Sequence, residues 1–367
     1  METIMAVCGT GMEGAGTLSR LDRIRGCLLG GAAGDALGAP VEFLEWNAIQ
    51  ARHGLDGIRD FAPAYGGLGT ITDDTQMMLF TAEGLLRAYV QGSSLRHTHV
   101  PSVIHQSLLR WLNTQDCPGE LAVPMDGWLV REPALWACRA SGATCISALR
   151  ASRRLGQSAQ NHSKGCGAVM RVAACAFFGN AFEFAAMSGQ LTHGHPGGYL
   201  TAGLFADILQ RMVDEEQTLE SAITESLIAY GSLPGLEEVR TLIDRVLFFH
   251  SEGYLPTPDT IAELGGGWVA EEALAIGIWC ALTAENLEEG IVRAVNHGGD
   301  SDSTGLIAGH LLGLQYGVRA IPQRWYQQLE LRNVIERLAA DIERVPRDFC
   351  GYGGPFDEAI LGDYPLS

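Results

Sequence analysis

The chain has no CxxC pair among its nine cysteines, no run of basic residues, no convincing alternating strand pattern and no repeat of fixed length. Nowhere do about 18 apolar residues follow one another. Each absence excludes something. Without a long apolar run there is no candidate membrane-spanning helix, and the first residues lack the basic start and apolar stretch of a secretory leader. The odd, scattered cysteines lie mostly in apolar, helix-like stretches, where a thiol packs as a small hydrophobe; they point to a reducing compartment. Lys plus Arg is 25 against 43 Asp plus Glu, a net charge of −18, and such a field repels nucleic acid and anionic membrane. A soluble, cytoplasmic protein is expected. A basic protein partner suits the field, and anionic small ligands stay open where metal ions or helix N-termini reverse the local potential.

What is present is helical patterning. With 47% hydrophobic residues, the 367-residue chain can bury a large core. Residues 1–20 are rich in glycine and small residues and aperiodic, which reads as a flexible arm. From Leu21 apolar residues recur at helical spacing, over 21–37, 74–90, 101–113, 142–154, 166–178, 197–213, 219–230, 236–250, 268–283, 286–296, 303–316 and 330–343. Residues 21–367 are therefore predicted to form a single all-α domain. Two irregular stretches, 114–134 and 251–267, read as long loops, and the first, carrying Asp116, Glu120 and Asp126, is placed to cover a site. The 46 glycines are many for a helical protein, because a glycine inside a helix costs roughly 1 kcal/mol relative to alanine. Gly26, Gly30 and Gly34, and likewise Gly305, Gly309 and Gly313, fall at i, i+4 spacing and predict helix faces that let backbones approach closely.

Two acidic clusters far apart in the chain, Thr72-Asp73-Asp74 and Asp300-Ser301-Asp302-Ser303, each stand at a predicted helix start. Capping and the helix dipole account for either one alone. Together they offer four carboxylates and several hydroxyls without a thiol, a donor set that suits Mg²⁺ or Mn²⁺ better than zinc. If the clusters meet, they can hold a two-metal site. Glu42 follows a Gly/Pro turn between Val41 and Phe43; it reads as an exposed loop carboxylate or as an acid/base whose pKa its apolar neighbours raise. Ser163-Lys164-Gly165-Cys166-Gly167 precedes an apolar run, as a plain turn or as a loop whose N–H groups cradle phosphate. Thr192-His193-Gly194-His195-Pro196 lacks metal-ligand spacing and reads as a turn, or as a histidine that positions a substrate or carboxylate.

Taken in order, RIRGCLLGGAAGDALGAPVEF, TDDTQMM, SGATCISAL, KGCGAVMRVA, THGHP, GGGWVAEEALAIGIWC and NHGGDSDSTGLIAG resemble the ADP-ribosylglycohydrolase family, which includes the dinitrogenase-reductase-activating glycohydrolase and the ADP-ribosylarginine hydrolases. The matching stretches span about residues 21–316. The resemblance implies a compact all-α bundle around a binuclear Mg²⁺ or Mn²⁺ centre. It implies Thr72, Asp73, Asp74, Asp300, Asp302 and Ser303 as metal ligands, and Glu42 and Asp302 as catalytic residues. Ser163, Gly165, Cys166, Gly167 and His193 would bind the ADP-ribose, and Asp35 would support the wall from behind. Two departures stand out. The loop usually reads Gly-Asn-Gly but here carries Cys166, and Ser303 replaces a threonine common in the family.

The expected activity is metal-dependent removal of ADP-ribose from a modified protein side chain, arginine first. Glu42, or an acid of the 114–134 loop such as Asp126, would handle protons. Two alternatives accompany it: an immunity protein that occludes an ADP-ribosyltransferase toxin through its N-terminal arm, with or without hydrolysis, and a hydrolase of ADP-ribosyl-serine or of a small ADP-ribose metabolite.

Overall fold

The computed structural model describes residues 18–92, 99–349 and 358–365. In chain order the helices are α1 (Arg20–Gly38), α2 (Trp46–His53), α3 (Asp73–Gly92), α4 (Val100–Thr114), α5 (Ala143–Arg150), α6 (Ala181–Gln190), α7 (Pro196–Asp214), α8 (Leu219–Tyr230), α9 (Glu237–Ser251), α10 (Pro258–Ala262), α11 (Ala270–Leu282), α12 (Leu287–Val295), α13 (Ser301–Tyr316), α14 (Gln323–Gln328), α15 (Arg332–Phe349) and α16 (Glu358–Asp363). Among the described residues no strand forms, only the isolated bridges Ala64–Gly67 and Gly165–Val269. No helix there is long and apolar enough to cross a membrane. The fold is all-α, as the periodicity predicts.

Local chemistry sets the helix boundaries. Ser19 caps α1 by accepting the Asp22 N–H, Asn286 caps α12 through Glu289, and Thr257 and Thr260 form a reciprocal capping box on α10. Helix α7 starts on Pro196, whose missing N–H is no loss in a first turn, and the His195 side chain accepts the Gly197 N–H. The predicted flexible arm lies almost wholly outside the described residues. Its last residues do not: Ser19 is a cap, Arg20 opens α1, and a methyl on Gly317 would meet Leu18 at 2.8 Å.

The centre of the molecule is the antiparallel pair α1 and α13. A methyl on Gly26 would stand 2.1 Å from the Gly313 carbonyl oxygen, one on Gly30 2.5 Å from that of Gly309, and one on Gly34 2.0 Å from that of Gly305. No carbon approaches an oxygen that closely, so backbone packs directly on backbone and the glycine spacing is explained. The register ends at Gly38, where a methyl would be 2.5 Å from the Asp302 Cα. The C-terminus of α1 is thereby laid against the N-terminus of α13. One continuous set of buried apolar residues surrounds the pair, including the fully buried Trp111, Trp279 and Trp325.

Three expectations need correction. Residues 166–178 are two short 3-10 turns, Cys166–Ala168 and Ala173–Phe177, not one helix, because the Arg171 side chain between them turns inward to bond the carbonyls of Gly167 and Ser188. The 251–267 stretch is not loop throughout, because α10 forms inside it; like α2, α6, α14 and α16, it carries too few turns to show a period. The 114–134 stretch does not cover the cleft described below. Asp126 instead accepts from Arg87 at 2.9 Å, beside a buried network in which Glu83 pairs with Arg87 and Arg110, both at 3.1 Å. Two buried guanidinium groups require carboxylate partners, and Asp126 is one of them.

Candidate metal centre and ligand cleft

The two acidic clusters meet. Ser303 Oγ donates to Asp74 Oδ2 at 2.7 Å, joining the first turn of α13 to the first turn of α3. Asp35, from α1, orders the second of these turns. Its carboxylate accepts the Thr72 N–H at 3.0 Å, the Thr75 N–H at 3.2 Å and the Thr75 hydroxyl at 2.5 Å. Asp73 accepts the Gly142 N–H at 3.2 Å, tying in the segment before α5.

Capping does not account for the second cluster. Asp300 occupies the N-cap position of α13 but its side chain makes no cap bond; it accepts the Cys166 thiol at 2.8 Å. Asp302 accepts the Ser303 N–H at 2.9 Å. Oxygens of Glu42, Asp300 and Asp302 all lie within 4.8 Å of one another. Glu42 Oε2 is buried and has no hydrogen-bond partner.

These side chains line a cleft of about 370 Å³. Its wall includes Glu42, Asp73, Asp74, Asp300, Asp302 and Ser303, together with Gly165, Cys166, Gly167, His193, Phe43 and Trp268. The Phe43 and Trp268 rings stack with centroids 5.3 Å apart, and both are exposed. Phe43 holds a left-handed φ of 65°, uncommon for a non-glycine residue. Among the described residues on the wall there are five carboxylates and no lysine or arginine.

Electrostatics follows from that composition. Burial first, then neighbouring aspartates, pushes the carboxyls of Asp74 and Asp300 well above their usual range. Burial does the same for Asp73, against the Gly142 N–H. Asp35 is raised to about 7 by burial and Asp302, and Glu42 to about 11 by burial, Asp302 and Asp300. Such a set can ionise together only beside a cation. Oxygen donors with no cationic side chain among them, and a buried Glu42 oxygen without a partner, fit hard divalent ions.

The remaining sequence-predicted residues divide. Thr72 is fully buried, its hydroxyl accepting the Asp74 N–H at 3.3 Å, and it does not line the cleft. Ser163 stands behind the wall, bonded to Thr144 Oγ1 at 3.1 Å and to the Gly165 N–H at 3.3 Å. His195 is the cap of α7, and Lys164 is held by Glu238 and Glu271. Sequence reasoning missed Trp268, the Ser141–Thr144 wall and Arg171 behind it. An arginine inside an otherwise apolar run, Ala168 to Phe178, was the available signal for the last.

The sequence model described as ADP-ribosylglycohydrolase matches residues 17–349. The chain is similar to ADP-ribosylhydrolase ARH3 of Bos taurus, 25% identical over 94% of this chain and 99% of that protein. It is similar to ADP-ribosylarginine hydrolase Tri1 of Pseudomonas putida strain GB-1, 26% identical over 89% of this chain and 80% of that protein. A solved structure of an ADP-ribosylglycohydrolase-related protein complex superposes with a TM-score of 0.63 at 26% identity, covering 89% of this chain and 99% of the other. With the family matched over most of its length, and an acidic cleft where the clusters converge, the chain belongs to the ADP-ribosylglycohydrolase family of enzymes.

Proposed function

We propose that the protein is a cytoplasmic, metal-dependent hydrolase that removes ADP-ribose from a modified protein side chain, arginine being the preferred attachment. The observation that carries this reading is the contact of Ser303 with Asp74 in a cleft walled by five carboxylates and no cationic side chain. Two divalent ions of the Mg²⁺ or Mn²⁺ kind, held by Asp73, Asp74, Asp300, Asp302 and Ser303 with Thr72 ordering the Asp74 turn behind them, would supply Lewis acidity beside the ribose. Glu42, whose Oε2 is buried without a partner, hands a proton to the departing nitrogen and recovers one from the water that attacks C1. Carboxylates facing the sugar, Asp302 foremost, stabilise the positive charge that grows at C1 as the glycosidic bond breaks. The Gly165–Gly167 loop and His193 line the side of the cleft assigned to the rest of the ADP-ribose.

The choice of arginine is supported by the name of the Pseudomonas putida relative. The test is ADP-ribose release from ADP-ribosyl-arginine and ADP-ribosyl-serine peptides with Mg²⁺, with Mn²⁺ and with chelator. Release from the arginine peptide, abolished by chelator and by Asp302→Ala in folded protein, is expected. Unchanged release by Asp302→Ala overturns the site, and release from the serine peptide alone overturns the substrate.

A further inference from the structure

Arg171 is fully buried, and among the described residues no carboxylate pairs with it. Its five N–H donors go to neutral groups. Nε reaches Ser188 Oγ at 3.4 Å; Nη1 reaches the Gly167 carbonyl at 2.6 Å and Cys145 Sγ at 3.7 Å. Nη2 reaches the Ser188 carbonyl at 2.6 Å and Thr192 Oγ1 at 2.8 Å. A buried charge without a counter-ion is a poor stabiliser, so its placement calls for another account.

The hydrogen bonds supply one. A guanidinium only donates, so Thr192 Oγ1 must accept from Nη2. The hydroxyl has a single proton and, apart from Arg171, three neighbours: His193 Nδ1 at 2.8 Å, the Gly189 carbonyl at 3.4 Å and the Cys145 thiol. Read with the proton in the shorter contact, the hydroxyl donates to the ring. Donation there is strengthened because the oxygen is already polarised by the cation. His193 Nδ1 is then an acceptor, and the neutral ring carries its proton on Nε2. The ring is neutral because burial, and next to it the Arg171 charge, lower its pKa to about 3.

The Nε2 edge faces the glycine loop. A methyl on Gly165 would lie 3.5 Å from Nε2, and one on Gly167 3.4 Å from it. Among the described residues no acceptor takes that proton. The guanidinium that polarises Thr192 also holds the Gly167 carbonyl, so one charge fixes the loop and the histidine together.

We infer that Arg171 is a positioning residue which, through Thr192, sets His193 as an Nε2–H donor to an oxygen of the bound ligand, a phosphate or ribose oxygen of ADP-ribose. The inference rests on the reading of the cleft as an ADP-ribose site. A role confined to stability would leave the ring nitrogens of His193 unmoved, so their ¹⁵N signals are the readout. Long-range ¹H–¹⁵N correlation on the full chain, with the His193 signals assigned by their loss in His193→Gln, should show the proton on Nε2 in wild type and in Thr192→Ser. Thr192→Val, which takes away the donor to Nδ1, should move the Nδ1 signal toward that of an unbonded ring nitrogen and weaken ADP-ribose binding by calorimetry about tenfold, whereas Thr192→Ser should do neither.

A wild-type His193 protonated on Nδ1, or a Thr192→Val protein whose Nδ1 signal is unmoved, overturns the relay. A moved Nδ1 signal with unchanged ADP-ribose affinity overturns the ligand contact. Wild-type protein that binds no ADP-ribose removes the reading of the cleft, while the tautomer still decides the relay.

Discussion

Asp35 caps a helix to which it does not belong. Its carboxylate, at the end of α1, accepts the Thr72 N–H at 3.0 Å and closes the first turn of α3. The same turn carries Asp73 and Asp74, so the fold's central helix directs the carboxylates of its neighbour. A helix N-terminus has N–H groups with no partner inside the helix, and here an outside residue satisfies them.

Replacing Asp35 by asparagine should therefore act in two places. The loss of charged acceptors in a buried site is expected to reduce stability by about 1–3 kcal/mol in urea unfolding. Mn²⁺ affinity should fall roughly 10–100-fold, because the ligating turn is no longer held. A variant that unfolds and binds Mn²⁺ like the parent would leave the cap without a role.

Stability should respond to pH and metal together. Asp73, Asp74 and Asp300 are raised by burial, and Asp35 is raised to about 7. Each holds its proton more firmly folded than unfolded. For metal-free protein this contribution is complete below about pH 4 and is lost as pH climbs through the folded values. Cations need the deprotonated ligands, so the rise in melting temperature on adding Mn²⁺ should be small near about pH 5 and much larger near about pH 7.5. Equal rises at both would contradict the assignment of these carboxylates.

Cys166 should be a slow thiol despite facing a cleft. Burial first, then Asp300 and Asp74, holds its pKa well above the ordinary value. The exposed Cys138 serves as internal control. With iodoacetamide near about pH 8, mass spectrometry should find Cys138 labelled on the order of tenfold faster or more. Comparable rates would mean that the thiol is not held against Asp300.

Glu83→Gln tests the division between scaffold and site. Glu83 is fully buried between Arg87 and Arg110, and its loss is expected to cost about 3–5 kcal/mol in denaturant unfolding. Glu83 does not line the cleft, so ADP-ribose release by the folded fraction should be unchanged. A selective loss of turnover in fully folded protein would show that the network reaches the site.

Much of this was legible in the chain because its cues are local. Helical periodicity marked the long helices to within a few residues, apart from α15, which runs on to Phe349 beyond the predicted 343, and the i, i+4 glycines pointed to close backbone packing. Two acidic clusters at helix starts pointed to each other. What escaped notice depends on contacts between distant segments. Asp126 looked available as an acid, and only the fold shows it committed to Arg87. The apolar run after Gly167 looked helical until Arg171 drew its side chain inward. Trp268 had no sequence partner to announce that it would stack on Phe43. The family match covers residues 17–349, so the order of the motifs carried more than any single one.

The glycine contact between α1 and α13 alters how a map of mutational tolerance of this enzyme should be read. Gly26, Gly30, Gly34, Gly305, Gly309 and Gly313 form a seam in which any added carbon collides with backbone. Overpacking there is expected to cost about 1–3 kcal/mol or more and to separate Asp302 from the α1 end that carries Asp35. A saturation screen scored on turnover would rank this seam beside the acidic residues, although no glycine of it lines the cleft. Stability measured in parallel would tell the two classes apart. The acidic residues mark where the chemistry is done, and the seam marks where the distance between its two halves is kept.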